Sequence, residues 1–134
     1  MQWSDEKNAG FSTADTTWIS VNKNYTWLNA RQQEEDPDSI LNFYRKTVKL
    51  RKQLSCVRNG IYREHFHNSD KFYMYSMEEE SQKILVICSF SDKDCKFSAP
   101  KDFEMDKAQL ILCNYEHPKK NTLHPYECKV YLWK

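Results

Sequence analysis

Lys83-Ile84-Leu85-Val86-Ile87-Cys88-Ser89-Phe90 is a nearly continuous apolar run, and Ser91-Asp92-Lys93-Asp94 turns the chain directly after it. A short apolar run bounded by turn residues predicts a strand that is buried on both faces or nearly so. Such a strand needs neighbours in a sheet, so further strands are expected on either side of it.

Short stretches with strand character flank this run and are separated by turn residues about every ten positions. They are residues 61–67, 72–75, 95–97, 110–113 and 126–133. The first two are joined by the turn Asn68-Ser69-Asp70 and predict a hairpin. The pattern predicts a mainly β fold, an antiparallel Greek-key β-sandwich.

One α-helix is predicted before the strands, over roughly 36–55. Asp36 would be its N-cap and Pro37 its first residue, with Asp38 favoured in the first turn by the helix dipole. Its apolar residues are spaced by three or four and form a broad face that needs a partner. They are Ile40, Leu41, Phe43, Tyr44, Thr47, Val48, Leu50 and Leu54.

Residues 1–35 are polar with scattered aromatic side chains and show no sustained period. They predict an ordered loop with one short extended piece at 18–21. A loop of this length is uncommon in a small domain unless it is functional or attached to another body.

Composition excludes several classes of function. The 134 residues carry a formal charge of +1 with both signs interspersed, so no basic surface for nucleic acid is expected. No apolar stretch is long enough to cross a membrane, and no polybasic segment suits a membrane surface. The five cysteines contain no C-x-x-C pair and predict reduced thiols in a cytoplasmic protein.

Candidate chemical sites are weak when the residues are read alone. His65 and His67 have the spacing of a metal pair but no third ligand nearby, so no metal is expected. Cys56 follows the predicted helix at the end that does not lower a thiol pKa. The acidic residues lie in turns, on the helix or in the loop, so no catalytic residue and no cofactor is assigned.

The start of the chain carries a specific resemblance. The sequence Met-Gln-Trp-Ser-Asp-Glu-Lys-Asn-Ala-Gly-Phe-Ser over 1–12, followed by Trp-Ile-Ser-Val-Asn-Lys-Asn-Tyr over 18–25, resembles the oligo-1,6-glucosidase group of glycoside hydrolase family 13. Weaker matches in the right order extend this resemblance over nearly the whole chain. They lie at 36–40, 44–46, 50–52, 85–91, 113–115 and 123–131.

The resemblance implies a role for each part of the chain. Residues 1–56 would be the loop after the last strand of a (β/α)₈ catalytic barrel together with the last barrel helix, and residues 57–134 the C-terminal β-domain. Enzymes of this group are retaining α-glucosidases acting on short isomalto-oligosaccharides or dextran ends. Their catalytic Asp, Glu and second Asp all lie upstream of the Met-Gln-Trp motif.

The resemblance also implies site residues, and two departures weaken them. Gln2, Trp3 and Asn8 would lie at the rim of the substrate site in the parent enzyme. Ser4 stands where the family has Asp, and residues 14–17 replace a Gly-x-Pro motif, which leaves the linkage specificity open. Met1 coincides with a methionine internal to the motif, so the chain is expected to be a truncated product or an excised piece.

The function expected from these observations is that of a non-catalytic C-terminal structural domain of an α-glucosidase. It would contact the missing catalytic barrel, and its exposed helix could pair two copies of the chain. The alternative is a sugar-binding β-sandwich module that uses exposed aromatic rings for stacking, or a protein-interaction module.

Overall fold

Three helices and seven strands are present in the computed structural model, which describes the chain from Met1 to Lys134. The helices are α1 (Ala30–Glu35), α2 (Ile40–Gln53) and α3 (Ser55–Asn59). The contacts divide the chain into two units, Met1–Lys46 and Thr47–Lys134, and the division falls within α2. No helix is both long and apolar enough to cross a membrane.

The first unit has more regular structure than the sequence predicts. It contains two 3-10 turns, Lys7–Gly10 and Lys23–Thr26, in addition to α1. The Asn29 side chain caps α1, because its oxygen accepts the Gln32 N–H at 3.1 Å. At the extended piece predicted for 18–21, Trp18 and Ile19 form a bend, and none of the four residues belongs to a strand.

The start of α2 differs from the prediction by one turn. Ser39, not Asp36, precedes the helix, and the Ser39 hydroxyl accepts the Asn42 N–H at 3.2 Å. Asp36 instead follows the end of α1, and its carboxylate accepts the Asp38 N–H in a tight turn that includes Pro37. Asp36, which the sequence predicts as the N-cap of α2, is therefore the C-cap of α1.

The C-terminal end of the predicted helix is also interrupted. Leu54 adopts an extended backbone (φ −91°, ψ 115°), and the chain then starts α3. Cys56 therefore lies inside α3 and is buried, rather than after the end of a longer helix.

Five antiparallel strands form the main sheet in the order β1-β2-β3-β7-β5. Their bounds are β1 (Ile61–His65), β2 (Phe72–Glu78), β3 (Lys83–Ser89), β5 (Gln109–Cys113) and β7 (Cys128–Trp133). The predicted central strand is confirmed, since the four residues from Ile84 to Ile87 in β3 are all buried. The predicted hairpin is confirmed as β1 and β2, with β2 extending to Glu78.

A second sheet pairs β4 (Cys95–Lys96) with β6 (Thr122–Leu123). The sequence did not indicate β6, a strand of only two residues. The buried core contains side chains from both sheets and from the segments between them. It consists of Met74, Leu85, Ile87, Cys95, Phe97, Phe103, Leu123, Tyr131 and Trp133. The fold is thus mainly β and antiparallel, while the Greek-key connection stays a prediction.

Candidate functional site

The N-terminal loop is folded by three consecutive residues in the left-handed region. Asn8, Ala9 and Gly10 have φ values of 54°, 53° and 71°. This turn brings the Ala9 carbonyl back to the start of the chain, where it accepts the N–H groups of Trp3 (2.8 Å) and Ser4 (3.1 Å). A Cβ atom on Gly10 would collide with the Ser4 hydroxyl, so only glycine fits there.

Backbone hydrogen bonds attach the same loop to α1. The Ala30 N–H donates to the Gln2 carbonyl at 2.9 Å, and the Arg31 N–H donates to the Trp3 carbonyl at 3.0 Å. The Arg31 guanidinium also pairs with the Glu6 carboxylate at 3.2 Å. These bonds satisfy N–H groups in the first turn of α1 that have no partner inside the helix. The loop is therefore held in one conformation by its own unit.

The amides of Gln2 and Asn8 are both used to hold this conformation. The Gln2 Nε2 donates to the Asn24 Oδ1 at 3.1 Å and also to the Leu28 carbonyl. The Asn8 Nδ2 donates to the Ala14 carbonyl at 2.7 Å and to the Ser12 carbonyl at 3.2 Å. Asn24 was not a candidate from sequence, because no local pattern joins residues 22 positions apart.

The three predicted rim residues do not all face one groove. Gln2 lines an open groove of about 480 Å³ together with Phe11 and Trp18. Asn8 borders a separate groove of about 350 Å³. The Trp3 side chain is 54% exposed. Trp3 is thus accessible, whereas the amides of Gln2 and Asn8 already have partners within the unit.

Trp18 is an aromatic residue at this groove that was not among the rim residues predicted from the sequence. Its side chain is 99% exposed and stands at the groove that Gln2 lines. A fully exposed indole can stack on an apolar ring face. The only sequence signal for it is the Trp18–Tyr25 motif, which the resemblance includes but does not connect to a role.

Ser4, the departure from the family motif, is buried and structural. Its hydroxyl accepts the Glu6 N–H at 3.3 Å, and its side chain lies against Gly10. The neighbouring Asp5 is exposed and lies 3.7 Å from the Arg31 guanidinium. The position at which the resemblance implies a carboxylate therefore carries a buried hydroxyl in this chain.

The histidines and cysteines outside this loop have other partners. The His65 Nε2 lies 2.9 Å from the Ser76 hydroxyl, and the His67 Nδ1 lies 3.2 Å from the Glu64 carboxylate. Five free cysteines are present, two of them buried. No group of three His, Cys, Asp or Glu side chains is placed to share a metal ion.

A comparison with protein families finds a match for the N-terminal part of the chain. Residues 1–60 match the family model described as "Alpha amylase, catalytic domain". This match includes the loop with Gln2, Trp3 and Asn8, as well as α1 and α2. The match ends close to the start of the first strand.

Comparison with individual proteins covers nearly the whole chain, including the strands after residue 60. The chain is 36% identical to the oligo-1,6-glucosidases of Bacillus cereus and Parageobacillus thermoglucosidasius over 98% of its length, which is 24% of each relative. The crystal structure of Bacillus licheniformis trehalose-6-phosphate hydrolase is 35% identical, with a TM-score of 0.89, over 99% of this chain and 25% of that one. The chain spans about a quarter of the length of the relatives it matches. Over nearly its whole length the chain is thus similar to about a quarter of the length of oligo-1,6-glucosidases, and its first 60 residues resemble part of the catalytic domain of the α-amylase family.

Proposed function

We propose that the chain is the non-catalytic C-terminal part of a cytoplasmic α-glucosidase that hydrolyses short α-glucosides, such as isomalto-oligosaccharides or dextran ends. Residues 1–56 would be the loop and last helix of the catalytic barrel, and residues 57–134 the C-terminal β-domain. The observation that carries the proposal is the match of residues 1–60 to a catalytic-domain model within a chain that aligns to these relatives over 98% of its length.

The exposure of α2 supports the proposal that residues 1–56 belong to a catalytic barrel. None of its residues is buried, and Ile40 and Tyr44 are 81% and 66% exposed. An amphipathic helix gains most of its stability by burying its apolar face. A catalytic barrel would bury this face, as the last helix of a (β/α)₈ barrel is buried on the strands inside it.

The absence of turnover by the chain alone is the first test. We expect no hydrolysis of p-nitrophenyl α-glucoside or isomaltose by the purified 134-residue chain, because a retaining glycosidase needs two carboxyl groups about 5 Å apart across the substrate. The positive control is a full-length oligo-1,6-glucosidase assayed in parallel. Turnover that follows the chain through purification would overturn the non-catalytic role.

The rim role of Gln2, Trp3 and Asn8 is part of the same proposal, supported by the exposure of Trp3. It is tested in an enzyme in which this segment is joined to a catalytic barrel. There, Trp3→Ala is expected to raise KM for isomaltose several-fold. Trp27→Ala, which removes an indole outside the predicted rim that is 68% exposed, is the control and should leave KM unchanged. Equal effects from both changes would contradict the rim role.

A sugar-binding module is the second candidate function, and the groove with the exposed Trp18 favours it. Stacking of a sugar ring on this indole would give heat on titration with isomaltose, maltose or dextran. Trp18→Ala would abolish that heat, whereas Trp27→Ala would not. Absence of binding by the unaltered chain at millimolar sugar would support the structural role instead.

A further inference from the structure

Cys88 and Cys128 lie directly opposite each other on two neighbouring strands of the main sheet. They are partners in the register of β3 and β7, and their sulfur atoms are 3.4 Å apart. The adjacent pair is hydrogen-bonded, since the Ser89 N–H donates to the Glu127 carbonyl at 2.8 Å. Because the two kinds of pair alternate along an antiparallel ladder, the cysteines occupy a non-hydrogen-bonded position.

This position has the geometry that a disulfide requires. The Cα atoms of a non-hydrogen-bonded pair lie about 4.5 Å apart. Disulfides span Cα separations of roughly 4.4–6.8 Å. The sulfurs of Cys88 and Cys128 therefore need side-chain rotation, and no separation of the strands, to come within bonding distance.

The other three cysteines are not arranged in this way. Cys113 pairs with Lys129 in the register of β5 and β7, which places its side chain on the opposite face of β7 from that of Cys128. The Cys113 thiol lies 3.2 Å from the Glu127 carboxylate. Cys56 and Cys95 are buried. Only Cys88 and Cys128 are both half-buried and in contact with each other.

The contact between the two sulfurs also perturbs both thiols. Contact with Cys128 lowers the pKa of Cys88, and contact with Cys88 raises the pKa of Cys128. The thiolate is the nucleophile in thiol–disulfide exchange. Because the two sulfurs touch, whichever cysteine attacks first, the other is placed to resolve the product.

We propose that Cys88 and Cys128 form a reversible oxidation site, which closes an inter-strand disulfide by exchange with a low-molecular-weight disulfide such as oxidised glutathione. The thiolate of one cysteine attacks one sulfur of the oxidant, forms a mixed disulfide and releases one glutathione thiolate. The other cysteine then loses its proton and attacks the protein sulfur of the mixed disulfide, releasing the second glutathione thiolate. Two protein thiols are oxidised and one glutathione disulfide is reduced to two glutathione molecules.

The disulfide would join β3 to β7 at the end of the strand pair where β7 begins. The two cysteines are 40 residues apart in sequence, so the bond closes a long loop that includes β4, β5 and β6. A cross-link of this kind stabilises a fold mainly by restricting the unfolded chain. The site does not depend on the proposed α-glucosidase assignment.

The experiment equilibrates the full 134-residue chain with oxidised or reduced glutathione, alkylates the remaining thiols and maps the cysteines by mass spectrometry. We expect the oxidised chain to lose the mass of two hydrogens, to yield a peptide linked through Cys88 and Cys128, and to melt several degrees higher than the reduced chain. A lasting glutathione adduct on either residue, a link to another cysteine, or an unreacted chain would overturn the proposal.

Single substitutions provide the controls. Cys88→Ser and Cys128→Ser should each abolish the linked peptide and leave a stable glutathione adduct on the remaining cysteine. Cys113→Ser, which changes a nearby thiol on the other face of β7, should retain the link. The peptide map of the unaltered chain decides the question even where a variant fails to fold.

Discussion

Glu127 and Lys129 form an ion pair whose two side chains are wholly buried beside β7, with 3.4 Å between the Glu127 Oε1 and the Lys129 Nζ. The Lys129 ammonium also donates to the Thr122 carbonyl at 2.9 Å and to the Lys119 carbonyl. The Glu127 Oε2 accepts the His124 N–H at 2.7 Å. The pair therefore fixes the segment between β5 and β7 to the sheet, and each charge is matched by its neighbour.

Removing one member of this pair should destabilise the second unit strongly. Lys129→Met leaves the Glu127 carboxylate buried without its cation, and a loss of about 3–5 kcal/mol in the free energy of unfolding is expected. Urea denaturation measures it. Lys129→Met combined with Glu127→Gln should recover part of the loss, because no unpaired charge remains.

The matched control for that experiment is Lys107→Met. Lys107 is exposed and pairs with Glu104 at 2.8 Å. Exposed pairs contribute little, so a change of about 0.5 kcal/mol or less is expected. If Lys129→Met also changed the free energy of unfolding this little, the buried pair would not be a major source of stability.

Cys113 gives the second unit a pH dependence on the alkaline side. Burial and the neighbouring Glu127 carboxylate raise the pKa of its thiol from 9.0 to about 11. Between these values the unfolded thiol ionises while the folded one stays protonated, so unfolding releases a proton. The contribution of this thiol to stability is complete below pH 9 and falls as the pH rises towards 11.

This pH dependence is measured by urea denaturation at about pH 8 and about pH 10.5. The unaltered chain should lose more stability over this interval than Cys113→Ser, whose hydroxyl does not ionise and can still donate to Glu127. Because Cys113 is only half-buried, solvent screening makes the difference smaller than the full pKa shift implies. Equal losses in the two proteins would contradict the assignment.

Among the elements, α2 shows how capping depends on the segment before it. The Ser39 hydroxyl accepts the Asn42 N–H and donates to the Gln33 carbonyl at 2.6 Å. The Gln33 side chain in turn accepts the Leu41 N–H at 3.0 Å. The end of α1 thus supplies part of the cap of α2, which the sequence of α2 does not reveal.

Replacing this cap gives a test at the scale of the element. Ser39→Ala removes the acceptor for the Asn42 N–H, and a loss of about 1 kcal/mol is expected. Asp38→Ala changes an exposed neighbour whose carboxylate lies 3.9 Å from Lys46, and should cost about 0.5 kcal/mol or less. Circular dichroism during thermal unfolding measures both. A larger loss from Asp38→Ala than from Ser39→Ala would contradict the capping role of Ser39.

For the whole molecule, the exposed apolar side chains of α2 predict association of the isolated chain. Ile40 and Tyr44 are exposed on the same helix, four residues apart in its apolar pattern. Apolar patches of this kind mark surfaces that another body covers. In a solution of the 134-residue chain alone, a second copy of the chain is the partner at hand.

Light scattering over a range of concentrations tests this association. The unaltered chain should form dimers, and Ile40→Lys should shift it towards the monomer by about tenfold or more in dissociation constant. Ile61→Lys makes the same change at a residue of similar exposure in β1 and should have no such effect. A chain that is monomeric throughout would rule out pairing through α2.

Much of the fold was predictable because the apolar patterns are local. The run from Lys83 to Ser89 has to be a buried strand, since only burial on both faces removes its side chains from water. The positions of the hairpin and of β7 follow from the same argument. The boundaries of α2 could not be predicted in the same way. The Ser39 side chain caps the start of the helix, and the extended backbone of Leu54 separates α2 from α3, although the apolar pattern continues to Leu54.

By itself, the sequence indicated the family resemblance, the mainly β class of the second unit and the candidate residues Gln2, Trp3 and Asn8. Only the tertiary structure showed that the Gln2 and Asn8 amides are already hydrogen-bonded within their loop. It alone brought Cys88 to Cys128 as partners in the sheet, and it alone showed that the ion pair of Glu127 and Lys129 is buried. Apolar periodicity is written along the chain, whereas the pairing of polar and thiol groups depends on strand register, which is fixed only when the sheet forms.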